Sequence, residues 1–243
     1  MTGAYAIVRR ELYALANSAI GWVVAALMIA LPGGVFFWLN GFLERDVASL
    51  DAYFATWPGL LAFLVPALTM RVFAEERSSG MDEMIGVLPI STGRMVAAKF
   101  ASLGIYLVVV VLMTVPVPLG VSLLGELSPS LVFVQYVALL LLALTMVSVG
   151  LFVSSVCASQ LLAYVLTALV LFGLSFIDSL PVLLGLGVQS VEVARVISLE
   201  ARYSSLSRGL VDMADLVYFA AIIAVFLRAA THAIHARRYA ANG

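Results

Sequence analysis

The side chains equipped to do chemistry are few in this chain, and they crowd into one passage, VFAEERSSGMDEMIGVLPIS, from Val72 to Ser91. Glu75, Glu76 and Arg77 open it, Gly80 punctuates it, and Asp82 and Glu83 precede a row of apolar residues closed by Pro89. Met81, Met84, Ile85 and Leu88 recur at i, i+3, i+4 and i+7, one apolar face of a helix of about two turns. Such residues bind rather than catalyse: four carboxylates offer complementarity to a basic surface, and a short apolar face fits a groove. Elsewhere the reactive types are isolated. His232 and His235 are three apart and share a helix face, a spacing compatible with metal, but no Cys, Asp or Glu follows them to complete a site. The set of Ser, His and Asp, or of metal ligands, that an enzyme buried in this chain would need is missing. No G-x-x-x-x-G-K-[ST] loop occurs, and the only lysine, Lys99, follows Ala97 and Ala98, so no phosphate cradle can form around it. No catalytic residue is assigned, and no metal.

The elements that must position this passage are set by composition. Apolar residues make up 63% and charged residues 11% of 243, against about 45–50% and 25% in a soluble domain, so most side chains cannot face water. The chain reads as an all-α integral membrane protein, because backbone polar groups in lipid must pair within a helix. Six transmembrane helices are expected, at Ile20–Leu39, Trp57–Phe73, Met95–Leu124, Leu131–Ser155, Leu161–Leu180 and Val211–Ala230, in one domain covering 1–243. The first is too long for the core of a signal peptide and is read as retained. Nine Lys and Arg fall on the side of both termini and four on the other, which by the positive-inside rule predicts cytoplasmic termini. The net charge of −1 argues against nucleic acid as a partner.

Around the spans, Tyr5, Val8, Leu12 and Leu15 recur at helical spacing while Arg9 and Arg10 fall elsewhere on the wheel, predicting an amphipathic interfacial helix within 1–18 that rests on lipid or meets a partner. Pro116 and Pro118 should kink or break the outer end of the third span. Gly150, Ser154 and Ala158, four apart, form a small-residue stripe for close helix packing. Trp22, Trp38 and Trp57 read as interfacial anchors, Arg94 and Lys99 as headgroup-level cations, and Asp178 as a boundary carboxylate. Within the outer segment 181–210, PVLLGLGV is too apolar for a solvated loop and too short to cross, so a re-entrant hairpin is expected there, with Glu192, Arg195, Glu200, Arg202 and Arg208 at the water boundary.

The passage itself occupies a cytoplasmic loop, 74–94, between the second and third spans. Ser78, Ser79 and Gly80 supply a helix stop, the two-turn helix follows, and Ser91 or Thr92 caps the next span. A helix this short is marginal alone, so lipid headgroups or a docked protein must hold it. Joined closely to two spans, it is built like a lever.

That ordered pattern, an acidic pair, a basic residue, Ser-Gly, a short acidic-apolar helix, then Leu-Pro-Ile-Ser and a basic residue, resembles the cytoplasmic loop of permease subunits of type-2 ATP-binding-cassette (ABC) exporters. The opening RRELYALANSAIGWVVAALMIALPGGVFFW is similar to the gliding-motility-associated branch, with Ala19 where that branch commonly has proline. GLFVSSVCASQLLAYV, Gly150 to Val165, and SLSRGLVDMADLVYF, Ser205 to Phe219, resemble the family's fourth-to-fifth connection and its approach to the last span. The resemblance covers nearly the whole chain and is weakest at Glu126–Val147 and Pro181–Arg202.

The resemblance implies that Met81 to Leu88 is a coupling helix seated on a separate ABC ATPase subunit, and that Tyr5 to Asn17 is the family's interfacial connecting helix. It further implies two ATPase copies, which hold the ATP and magnesium, no cofactor on this chain, a second permease subunit, identical or paralogous, and a membrane subunit with a large extracytoplasmic domain. The location implied is the bacterial cytoplasmic (inner) membrane. Two other classes stand beside it. A secondary transporter would bury ionisable groups at the midplane and repeat its halves, whereas these spans carry almost no charge and no repeat; a non-transporting membrane scaffold would need neither.

Overall fold

The computed structural model describes residues 2–39, 49–78, 91–185 and 188–240, which form helices with no strand among them. In chain order they are α1 (Thr2–Ala16), α2 (Ala19–Gly34), α3 (Asp51–Ala55), α4 (Trp57–Ser78), α5 (Thr92–Leu112), α6 (Pro116–Ser122), α7 (Pro129–Val156), α8 (Gln160–Phe176), α9 (Ser179–Leu183), α10 (Val188–Ile197), α11 (Leu199–Ser207) and α12 (Met213–Ala240). Five of these stretches are long and apolar enough to cross a membrane: Ala19–Leu39, Asp51–Ala74, Thr92–Ser122, Pro129–Val156 and Met213–Arg237. α8 has 17 residues, about 25 Å of rise, short of a ~30 Å hydrocarbon core. Its expected run to Leu180 is cut at Ile177 and Asp178, because Pro181 has no N–H to extend the ladder.

Prolines shape the other long segments too. Pro32 inside α2 removes a ladder donor, and the helix continues through Val35–Leu39 as a π turn. The third expected span breaks at Met113–Val115, and Pro116 restarts it as the first residue of α6, where its missing N–H costs nothing. Serines start three helices: the Ser18, Ser159 and Ser198 side chains accept the N–H of Gly21, Leu162 and Ala201.

α7 is the axis of the bundle. It packs against α4, α5, α8, α11 and α12, and 72% of its most apolar window is buried, against 17% for α12. Paired residues fix the directions. Asp51 meets Gln135 and Phe73 meets Ser154, so α4 and α7 run parallel. Gly104 touches Leu144 and Thr114 meets Tyr136, so α5 is antiparallel to α7; Tyr164 reaches Phe63 and Phe176 lies against Gly59, so α8 is antiparallel to α4. Phe226 stacks near Phe152 and Arg237 bonds the Val156 carbonyl, so α12 is parallel to α7. Consequently α1, the end of α4, the start of α5 and the end of α12 share one end of the bundle.

One expectation about the far end fails. Trp57 is fully buried, not an interfacial anchor: the chain enters helix at Asp51, so Trp57 lies a turn and a half inside and stacks edge-on with Tyr53. In the outer segment, Leu183 and Leu184 of PVLLGLGV are exposed, and α11 packs into the bundle mouth through Leu199, Tyr203 and Leu206 at i, i+4, i+7. The Tyr203 hydroxyl donates to the Phe54 carbonyl at 2.9 Å and locks α11 over α3.

Candidate functional site

The expected docking residues divide across the described chain. Glu75, Glu76 and Arg77 form part of the last turns of α4; Gly80, Met81, Asp82, Glu83, Met84, Ile85, Leu88 and Pro89 lie outside the described residues. What can be built is the root from which that segment springs, where α1, α4, α5 and α7 converge.

Its centre is Lys99, a side chain only 1% exposed. It stands two turns into α5, about 10 Å from the helix start, and is buried between helices rather than reaching the headgroup level. A buried ammonium needs acceptors. The Nζ donates to the Val72 carbonyl at 2.6 Å, lies 4.5 Å from the centroid of the Phe73 ring, and stands 3.9 Å from Glu11 Oε1. One cation thus holds the final turns of α4, the start of α5 and the middle of α1. Arg10 bridges the same carboxylate at 2.7 Å.

Glu11 explains how α1 sits. The protected positions are Ile7, Val8, Glu11, Leu12 and Leu15, so the acidic residue lies mid-face and α1 packs on α5. Tyr5, expected on that face, is 70% exposed: it lies about 90° round the helix from the centre of the arc. With Tyr13, Trp22 and Arg9, whose guanidinium lies 5.4 Å from the Tyr13 ring, it makes an aromatic and basic outer surface. Those are the residue types of a membrane interface. Ser18 caps α2, and Gly21 is required: an added Cβ there would lie 2.2 Å from the Leu15 carbonyl oxygen. The joint between α1 and α2 is therefore tight.

The small-residue stripe meets α4 just above this root. A Cβ at Gly150 would lie 2.3 Å from Thr69 Oγ1 and 2.8 Å from Thr69 Cβ, so the two backbones approach as only glycine allows. One turn on, Ser154 Oγ accepts the Phe73 N–H at 3.3 Å and donates to the Met70 carbonyl at 3.4 Å. Ala158 takes no part. α7 ends at Val156, and Ala158 is exposed beyond it. At the start of α5, Ser91 has the extended backbone of a cap but makes no side-chain cap bond.

At the opposite end, Ser198 Oγ bonds the Ser175 carbonyl and Asp178, so Asp178 is tied to α11. Burial, and secondarily the Asp178 charge, push the Glu200 carboxyl above its usual range. His232 and His235 are exposed, and no group of three or more His, Cys, Asp or Glu able to hold a metal occurs among the described residues. Among the described residues, the polar side chains at the α1, α4 and α5 root pair with one another and with backbone across helices, an arrangement that ties those helices together.

Fold and site together define a multi-pass, all-helical chain of membrane character whose buried cation joins three helices at one end. No family model matches this chain, and no curated protein matches it.

Proposed function

We propose that the chain is the permease subunit of a type-2 ABC exporter, a six-span protein of the bacterial cytoplasmic membrane with both termini in the cytoplasm. Its 79–90 segment docks on a separate ATPase, present in two copies, and a second permease subunit completes the path; a membrane subunit with a large extracytoplasmic domain accompanies them. In this reading α8 is the fifth of the six spans, completed at its ends by residues outside the helix. The observation that carries the reading is the Lys99 node. A segment that receives force is useful only if its two flanking helices respond together, and here α4 and α5 are held by one ammonium beneath that segment, with α1 attached to it. Arg9, Arg10, Arg71, Arg94, Lys99, Arg228 and Arg237 gather toward this same end, as expected of a cytoplasmic face. ATP binding by the partner pair shifts the equilibrium only through its preference for the closed dimer, and the helix root carries that displacement upward.

Co-purification from native membranes tests it. The intact chain should retain a soluble ATPase, and Met84→Asp, Ile85→Asp and Leu88→Asp together should release it. A chain that retains no ATPase is a scaffold or secondary transporter instead, and one that retains it despite all three changes does not dock it through this face.

A further inference from the structure

The molecule has a second polar feature that the transport reading leaves idle, at the end opposite the Lys99 root. A cleft of about 320 Å³ opens between α10, α11 and the start of α12, lined among others by Arg195, Arg202, Ser205, Asp212 and Asp215. That volume is at the lower end of the ~300–1,000 Å³ of small-ligand sites. Its floor is neutral: Arg202 Nη1 bridges Asp215 Oδ1 at 2.7 Å, with the Asp215 side chain 4% exposed and the guanidinium 5.5 Å from the Tyr218 ring. Two opposite charges remain at the rim. Arg195 is exposed and has no ion pair among the described residues. Asp212 Oδ1 accepts the Ala214 N–H at 3.0 Å as the cap of α12, which leaves its second oxygen open. The elements that form it are apolar outside: Val196 lines the cleft, Val193, Ile197, Val211, Met213 and Val217 on the same elements are exposed, and the membrane-length helix Met213–Arg237 begins there. We propose that this cleft binds a zwitterionic aminophospholipid from the membrane, phosphate on Arg195 and the Ser205 hydroxyl, primary ammonium on Asp212, acyl chains against the apolar collar. An anionic lipid satisfies only the arginine, and a choline headgroup has no N–H for the carboxylate.

The test is native mass spectrometry of the detergent-purified full chain offered phosphatidylethanolamine, phosphatidylcholine or phosphatidylglycerol. The intact protein should retain phosphatidylethanolamine roughly tenfold better than either of the others, the ratio expected for one charge-assisted hydrogen bond. Asp212→Asn should reduce it to the phosphatidylcholine level and Arg195→Gln should lower retention of all three lipids; asparagine keeps the helix cap, so unfolding temperature should hold. Glu192→Gln, a neighbouring charge outside the cleft lining, should change nothing. Equal retention of the three lipids, an undiminished preference in the Asp212 variant, undiminished retention in the Arg195 variant, or equal loss in the Glu192 variant overturns the proposal. Displacement of the lipid by millimolar soluble phosphoethanolamine would overturn the membrane source, because the collar would then contribute nothing. None of these readouts depends on an ATPase partner.

Discussion

Replacing Gly150 with alanine is the sharpest test of how α4 and α7 are joined. The new Cβ would lie 2.3 Å from Thr69 Oγ1, 2.8 Å from its Cβ and 2.9 Å from its Cγ2, where ordinary contact begins at 3.4 Å. Rotating Thr69 gives no escape. Two of its three staggered positions at Cβ face Gly150 and both are filled, so any rotamer keeps at least one heavy atom there, and the Thr69 Cβ does not move. The helices must therefore part by up to about 1 Å, and the long Ser154 bonds to Phe73 and Met70 one turn away open with them. Overpacking of this kind costs about 1–3 kcal/mol, and alanine returns up to about 1 kcal/mol of helix propensity, leaving a net loss of about 1–2 kcal/mol. Equilibrium unfolding in mixed micelles, followed by circular dichroism, measures it. Thr69→Gly in the Gly150→Ala background removes the three nearest atoms and should cost less than Thr69→Gly alone. If Gly150→Ala is as stable as the parent, or Thr69→Gly costs the same in both backgrounds, the close approach is not what holds these helices.

Lys99→Met should lose a charge-assisted bond worth about 1.5–3 kcal/mol and regain part of it as relieved desolvation, so the fold survives with a net cost near ~1 kcal/mol. Under the proposed function, ATP turnover by the assembled complex should nevertheless fall several-fold, and unchanged turnover would detach the node from coupling. Ser198→Ala removes the cap of α11 together with the bonds to Ser175 and Asp178, for about 2 kcal/mol in the same unfolding assay; Ser159→Ala, an exposed cap, should cost about half that. Glu200 has its carboxyl raised above the usual 4.5, so the protonated form is favoured by folding. Its stabilising contribution is full below that unfolded value and is lost as pH rises through the raised one. Glu200→Gln should therefore gain stability over the parent at neutral pH and lose that advantage near pH 4, and a pH-independent difference would refute the assignment.

The long apolar helices and the break at Pro116 could be read from the chain because they follow from local chemistry: twenty apolar residues have one stable state in lipid, and a proline cannot donate whatever its neighbours are. Where reading failed, the missing term was either a partner far along the chain or an unforeseen helix boundary. Lys99 resembles a snorkelling cation until Val72, Phe73 and Glu11 stand around it. Trp57 resembles an interfacial anchor until Asp51–Ala55 adds helix before it. Glu11 was visible in the middle of the α1 apolar arc, and its position argued for a buried cation opposite; with one lysine in the chain, that inference was within reach. Leu199, Tyr203 and Leu206 carried the period of a packed helix, but Glu200 and Arg202 between them drew the segment toward water. For Ala158 the spacing of four was intact and the helix was not, since α7 ends two residues earlier.

The two ends of the bundle solve different problems with the same resource. A polar group inside an apolar bundle must find partners there, and its partners fix which helices move as one. At the far end, Tyr203 binds α11 to α3 and Ser198 binds it to α8 by hydrogen bonds to backbone carbonyls, while the Arg202–Asp215 ion pair ties it to α12. At the near end the bond is ionic and links α5 to the last turns of α4 and to α1, while the close packing of Gly150 on Thr69 lies only a turn higher on the same α4. Under the proposed function, displacement of α4 at its root would pass to α5 through Lys99 and to α7 through Thr69 and Ser154. Because α7 touches nearly every other long helix, a shift entering at the root reaches the mouth without any hinge in α7 itself, which contains no internal proline or break between Pro129 and Val156.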